Sequence, residues 1–187
     1  VSEGELLING ENIKNYRQKD LHNMIAYVPQ KAVIFSGTIK SNIDFGERDG
    51  EEATIEEIKT AAEIAQAKEF IEDMEDTYDA SVAQGGTDLS GGQKQRLAIA
   101  RAINRQAEIM IFDDSFSALD YKTDKKLRDN LDKQESRATT FIVAQRIATI
   151  RNADKIIVLD EGNVVGMGSH DELMKDCRVY QEIAYSQ

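Results

Sequence analysis

The sequence predicts an α/β fold, a sheet core with an inserted α-helical subdomain, and three observations carry that reading. Short β-rich runs recur at residues 5–8, 25–28, 109–113, 139–144 and 155–159. Helical patterns alternate with strands through the second half of the chain, as they do when helices cross over a sheet. A strongly acidic helical stretch, 46–79, interrupts that alternation. With 187 residues and 41% hydrophobic content, the chain is long enough to bury a sizeable core.

The elements follow in order. Runs at 5–8 and 25–28 open the chain, and like the later ones they are mostly continuous in hydrophobicity, which predicts strands covered on both faces. Thr54 with Glu57 three residues on forms a capping box before Ile55, Ile58, Ala61, Ala62 and Ala65, all at helical spacing. A second helix is expected to continue through Phe70, Ile71 and Met74. Ser90, Gly91 and Gly92 precede a long helical pattern through Leu97, Ile99, Ala100 and Ile103. The run Ile109 to Phe112 then delivers Asp113 and Asp114 to the carboxyl end of a buried strand. Residues 117–120 form a tight turn, and Gln145 ends the strand that begins at 139. Residues 160–163 turn a hairpin between 156–159 and 164–167. Ser169 with Glu172 caps a final helix.

Composition excludes several classes of function. A net charge of −11 argues against a nucleic-acid partner, because phosphate backbones need a cationic surface. Between residues 46 and 79 thirteen acidic residues face three basic ones, which reads as a solvated helical face. The apolar runs are short, no more than five residues, against the ~20 of a membrane span. The sequence opens at Val1 with neither a methionine nor a leader, so it reads as an excerpt of something longer. Cys177, the single cysteine, is expected to be structural. His22 and His170 lack partners at ligand spacing and are expected at the surface.

Two groups carry chemistry. At a helix start, the bare amides and the positive end of the helix dipole suit a phosphate, and Gly91 and Gly92 allow it close to the backbone. Ligands of open α/β sheets bind at strand carboxyl ends. There Asp113 can hold Mg2+ through water, while Asp114 can orient or deprotonate an attacking water.

Taken together, Gln30 after Val28 and Pro29, Leu89-Ser90-Gly91-Gly92-Gln93, the strand ending at Asp113, Ser117-Ala118-Leu119-Asp120 and Gln145 resemble the ATP-binding domains of ABC transporters. The resemblance covers nearly the whole chain. The stretch 35–46, the run Gln93 to Arg101 and residues 168–173 are similar to exporters in particular. It implies a P-loop NTPase-like core, with residues 1–45 as core and glutamine loop, 46–105 as the helical subdomain and 106–187 as the rest of the core. The implied cofactors are ATP and Mg2+. Asp114 and Gln145 take the catalytic positions. Gln30, Ser90, Gly91, Gly92, Gln93 and Asp120 contact nucleotide, and Gln30 and Asp113 serve Mg2+ through water. A second nucleotide-binding domain and transmembrane domains, reached through coupling helices facing 35–46, are the implied partners. The implied location is the cytoplasmic face of the cell membrane.

Four departures qualify the resemblance. No Gly-Lys dipeptide occurs, so the Walker A loop is missing, and the family places that loop upstream of Val1. Asp114 stands where hydrolysing exporters carry glutamate, which withdraws the carboxylate by roughly 1.5 Å, one carbon-carbon bond. Gln145 replaces the switch histidine; it can still donate to a γ-phosphate but cannot become cationic or relay a proton. Gln84 replaces an acidic residue expected just before the signature. In this family each ATP lies between the Walker motifs of one domain and the signature of the other. The expectation is therefore half of an asymmetric heterodimer with a poorly hydrolysing site of its own and an intact signature for its partner's. Two alternatives stand beside it: a soluble ABC ATPase of DNA repair or translation, and a purely regulatory ATP-binding module.

Overall fold

The computed structural model describes residues 3–46, 51–134 and 138–187. Glu47, Arg48 and Asp49 of the acidic run, and Val1, lie outside the described residues. Strands β1 (Leu7–Ile8) and β2 (Glu11–Asn12) form a short antiparallel pair, and α1 (Gln18–Met24) leads into β3 (Ile25–Val28). A second small pair joins β4 (Gly37–Thr38), which runs straight into α2 (Ile39–Ile43), to the later β5 (Ser81–Val82). Between them lie α3 (Ile55–Ile64) and α4 (Lys68–Glu72). The Thr54 and Glu57 capping box is present. Met74 falls beyond the end of α4 rather than within it.

Helix α5 (Gly91–Asn104) is the packing axis of the chain. Leu97, Ile99 and Ala100 are fully buried on it, against Ile39 and Ile43 of α2, Ile58 and Ala61 of α3, and Val28 of β3, all in one core. Burying a single Leu or Ile side chain contributes about 1.5–3 kcal/mol, so this seam outweighs any local helix propensity.

Strand β6 (Ile109–Asp113), helix α6 (Tyr121–Asp132) and strand β7 (Thr139–Val143) continue the chain. The sheet is parallel in the order β3-β6-β7. Ile25 pairs Ile109 and Ile109 pairs Thr139, so the three strands run level to their carboxyl ends. The expectation of cover on both faces is corrected here. Ala26, Val28, Met110 and Phe112 are buried toward α5, whereas Tyr27, Phe141 and Val143 on these strands are each more than half exposed. Continuous hydrophobicity in these strands thus marks one buried face and one apolar face open among the described residues.

After the single turn α7 (Ile147–Ile150) come β8 (Ile156–Asp160) and β9 (Asn163–Gly168). They form the expected hairpin, but around two residues rather than four. Glu161 at φ 45° and Gly162 at φ 80° both take left-handed backbone, the conformation that matches the twist of a tight hairpin. Helix α8 (His170–Asp176) opens with the Ser169–Glu172 capping box. It is not the final helix, because Cys177 breaks it in an extended conformation before α9 (Arg178–Tyr185). These last elements enclose a second, smaller core of Ile156, Val158, Leu173, Cys177 and Tyr180. Cys177 is a buried free thiol within it. His22 is exposed as expected, but His170 is half-buried, its Nδ1 2.8 Å from the hydroxyl of buried Tyr180. Sequence spacing could not reveal a partner ten residues away on the next helix.

Candidate phosphate and cation site at the strand ends

Because β3, β6 and β7 end level, the residues just beyond them converge. Gln30 Nε2 donates to Asp114 Oδ2 at 3.0 Å, and Gln145 Nε2 donates to the same oxygen at 3.2 Å. Beside them the Tyr27 hydroxyl donates to Asp113 Oδ2 at 2.7 Å, and that hydrogen bond holds the phenol above its ordinary pKa. The backbone beneath is fixed from both sides. Asp114 sits at φ 45°, a region in which aspartate is enriched among non-glycine residues. Its N–H donates to Val143 O at 2.9 Å, while its carbonyl accepts from Ser117 Oγ at 2.8 Å.

Three further residues that sequence reasoning missed support this corner. Ser115, fully buried, donates its hydroxyl to Val28 O at 2.9 Å and so ties the end of β3 to β6. Gln95, 2% exposed in the middle of α5, donates to Pro29 O at 3.3 Å and links that helix to the loop carrying Gln30. Tyr27 is the third. Its signal was legible as the hydroxyl-bearing member of an otherwise apolar strand that leads to Gln30. Ser115 and Gln95 left no such signal, because their partners are backbone carbonyls distant in sequence.

A second group forms around the start of α5. The Ser90 hydroxyl accepts from Gln93 N at 3.3 Å and Gln93 Oε1 accepts from Ser90 N at 2.8 Å, a closed capping box. Nothing lies within 4 Å of a Cβ built on Gly91, and one built on Gly92 would meet only Ala118 O, at 3.5 Å. The helix start therefore neighbours the 117–120 turn. Asp120 caps α6, with Oδ1 accepting from Lys122 N at 3.1 Å and Thr123 N at 3.0 Å, and Oδ2 from Thr123 Oγ1 at 2.6 Å. The Thr123 hydroxyl above all, with these amides, holds the Asp120 carboxyl below its ordinary value of 3.8. The Arg146 guanidinium reaches Leu119 O at 3.4 Å and Ser117 O at 3.3 Å, connecting the loop after β7 to the same turn. Thus Gln30, Asp113, Asp114 and Gln145 gather at one place, whereas Ser90, Gly91, Gly92, Gln93 and Asp120 belong to the two helix starts beside the 117–120 turn.

The stretch 33–46 is organised around Asn42, which is 1% exposed. Its side chain accepts from Phe35 N at 3.0 Å and donates to Phe35 O at 2.9 Å and Thr38 O at 3.0 Å. From α5, Arg101 donates to Asn42 O at 2.7 Å and Val33 O at 2.9 Å, and its guanidinium lies 5.0 Å from the Phe35 ring centroid. Burial pushes Arg101 down to about 10. Phe35 and Phe45 stack with centroids 4.0 Å apart and present a partly exposed aromatic step. Gln84 opens a 3-10 turn whose Gly85 N–H donates to Ile34 O at 3.0 Å, so the segment before the signature leans on this same stretch.

Chemically, the strand-end group offers hard carboxylate oxygens of the kind Mg2+ prefers, with amide donors beside them suited to phosphate oxygens. The class this defines is a nucleotide-handling α/β domain with its reactive edge at the strand carboxyl ends. Comparison with known proteins makes the class specific. The ABC transporter family model matches residues 1–117. An ABC transporter ATP-binding protein of Mycoplasma genitalium is 45% identical over 193 residues, covering 100% of this chain and 31% of that protein. An ATP-dependent lipid A-core flippase of Desulfotalea psychrophila is 40% identical over 175 residues, covering 94% of this chain and 30% of that protein. Among solved structures, a bacterial Atm1-family ABC exporter with ATP bound superposes with a TM-score of 0.90 at 38% identity, covering 97% of this chain and 31% of that one. The chain belongs to the ABC transporter family and has the fold of an exporter nucleotide-binding domain. It spans about a third of the length of these relatives.

Proposed function

We propose that the chain is the ATP-binding domain of an exporter whose own ATP site holds nucleotide but hydrolyses it poorly, while its signature completes a competent site on a different partner domain. The observation that carries this reading is the placement of two glutamine amides, from Gln30 and Gln145, on one oxygen of Asp114. Two amide donors already occupy that oxygen, and an aspartate arm is shorter than the glutamate of hydrolysing relatives. Gln145 can donate to a terminal phosphate but cannot relay a proton.

In this reading Asp113, oriented by Tyr27, and Gln30 beside it would hold Mg2+, which would supply charge neutralisation at the phosphates. Gln145 binds the terminal phosphate. Ser90, Gly91 and Gly92 offer their helix start to the partner's ATP, with Asp120 fixing the adjacent turn. Gly91 supports this assignment, since among the described residues no packed neighbour lies where its Cβ would stand. The aromatic step of Phe35 and Phe45 supports transport over a soluble ATPase, because it leaves an apolar surface where coupling helices of a transmembrane part would seat. In this reading the domain lies on the cytoplasmic side of the membrane. Among the described residues no helix is long and apolar enough to cross a bilayer, so the membrane part is assigned to other segments or subunits.

The test is ATP turnover of the intact protein. Measured with the partner's site silenced by replacing Ser90, Asp114→Glu combined with Gln145→His should raise turnover by about 10²-fold, within the usual worth of a general base. Replacing Ser90 should abolish turnover at the partner's site. Brisk hydrolysis by a wild-type homodimer would refute the proposal.

A further inference from the structure

The loop after β7 is held from an unexpected quarter. Helix α7 begins after Arg146, which provides no side-chain acceptor for the bare N–H groups of the first turn. The Arg146 side chain is instead turned to the carbonyls of Ser117 and Leu119. The missing acceptor is supplied by Gln187, whose Oε1 accepts from Ile147 N at 2.8 Å. The same side chain donates from Nε2 to Gln145 O at 2.6 Å. A primary amide carries a carbonyl acceptor and an NH2 donor group side by side, and only one orientation serves both a backbone carbonyl and a backbone N–H. Gln187 lies just beyond α9, and Tyr180 of that helix is 1% exposed in the second core. The clamp therefore joins that core to the loop from which Gln145 reaches Asp114.

We propose that Gln187 is a positioning residue: it acts as a remote helix cap that fixes the backbone of the Gln145 loop and thereby the placement of the Gln145 amide. This rests on the assignment of Gln145 to the ATP site, and it gives the C-terminal helix pair a means of adjusting that site. Gln187 itself touches neither Asp114 nor nucleotide. Its effect on nucleotide must pass through Gln145.

Two measurements on the intact protein test this, using Gln187→Ala, which removes both bonds, and Gln187→Glu, which keeps an acceptor for Ile147 but sets a carboxylate against Gln145 O. Hydrogen exchange at the Ile147 amide should quicken about fivefold in Gln187→Ala, the worth of one ordinary hydrogen bond, and less in Gln187→Glu. Release of a fluorescent, slowly hydrolysed ATP analogue should quicken by a similar factor in both. That increment should vanish when Gln145→Ala is already present, because the two residues act in series. Unchanged exchange at Ile147 in Gln187→Ala overturns the clamp. An increment that persists in the Gln145→Ala background overturns the positioning role. A wild-type protein that retains no analogue refutes the ATP-site assignment on which the positioning role depends, and the exchange result then decides the clamp alone.

Discussion

Gly91→Ala separates fold from function at a single methyl group. Gly91 is the first residue of α5, and a Cβ there meets nothing within 4 Å. Alanine is more favourable than glycine inside a helix by up to ~1 kcal/mol, and a first-turn position should realise about 0.5 kcal/mol of that. For a domain of this size the gain corresponds to a rise in melting temperature of about 1–2 °C. The same methyl would stand where the proposed partner's phosphate must approach the backbone, and losing one such contact commonly costs about 10²-fold or more in turnover. The assay pairs thermal unfolding of the intact protein with ATP turnover of the assembled dimer. Unchanged or higher stability with turnover down by that factor is the expected result. Full turnover in Gly91→Ala would refute the reasoning, since the glycine would then serve neither the chain nor a ligand. A loss of stability would refute the claim that the helix start is unconstrained from within.

Other expectations follow from the same contacts. Asn42→Ala would leave Phe35 N and Phe35 O without their side-chain partner in a nearly dry site, and Thr38 O with only the Ser41 hydroxyl. It should cost about 3 kcal/mol in denaturant unfolding, and a cost under ~1 kcal/mol would show that water replaces those bonds. Because the Asp120 carboxyl is held below 3.8, its ionised form stabilises the fold, and that contribution is present above 3.8 and lost as pH falls through the folded value. Asp120→Asn keeps an acceptor for the helix amides but loses the charge. Its stability gap from wild type should therefore be open near neutral pH, close below 3.8 and vanish in stronger acid. A gap that does not change with pH would show that charge plays no part in the cap.

Much of the fold was legible because the responsible interactions are local. Thr54 with Glu57 and Ser169 with Glu172 announce helix starts by a spacing of three residues, and both boxes close as expected. Strand β6 was placed at its observed bounds because its apolar run ends on two aspartates. Where the sequence misled, the deciding partner was distant. Hydrophobic continuity in Phe141 to Val143 looked like burial on two faces, yet Phe141 is 54% exposed. Burial depends on what packs above a strand, which period-two patterning does not specify. The same limit applies at the site. The sequence flagged Asp113, Asp114, Gln30 and Gln145 by type and position. It could not show that two of them share one oxygen of a third, nor that Gln95, Ser115 and Gln187 reach backbone atoms tens of residues away.

The separation of the two cores bears on how the molecule comes apart. Ile156, Val158, Leu173, Cys177 and Tyr180 form a core of their own, with Ile147 and Ile150 of α7 packed against it, so the segment from α7 onward is expected to open as a cooperative block without breaching the seam around α5. Such a block melts at a free energy below that of the whole domain. A destabilising change at Tyr180 or Leu173 would then leave most of the molecule folded and lower the population in which Gln187 holds the Gln145 loop. Substitutions far from any nucleotide would in that way register as lost nucleotide retention, with little sign of a general loss of structure.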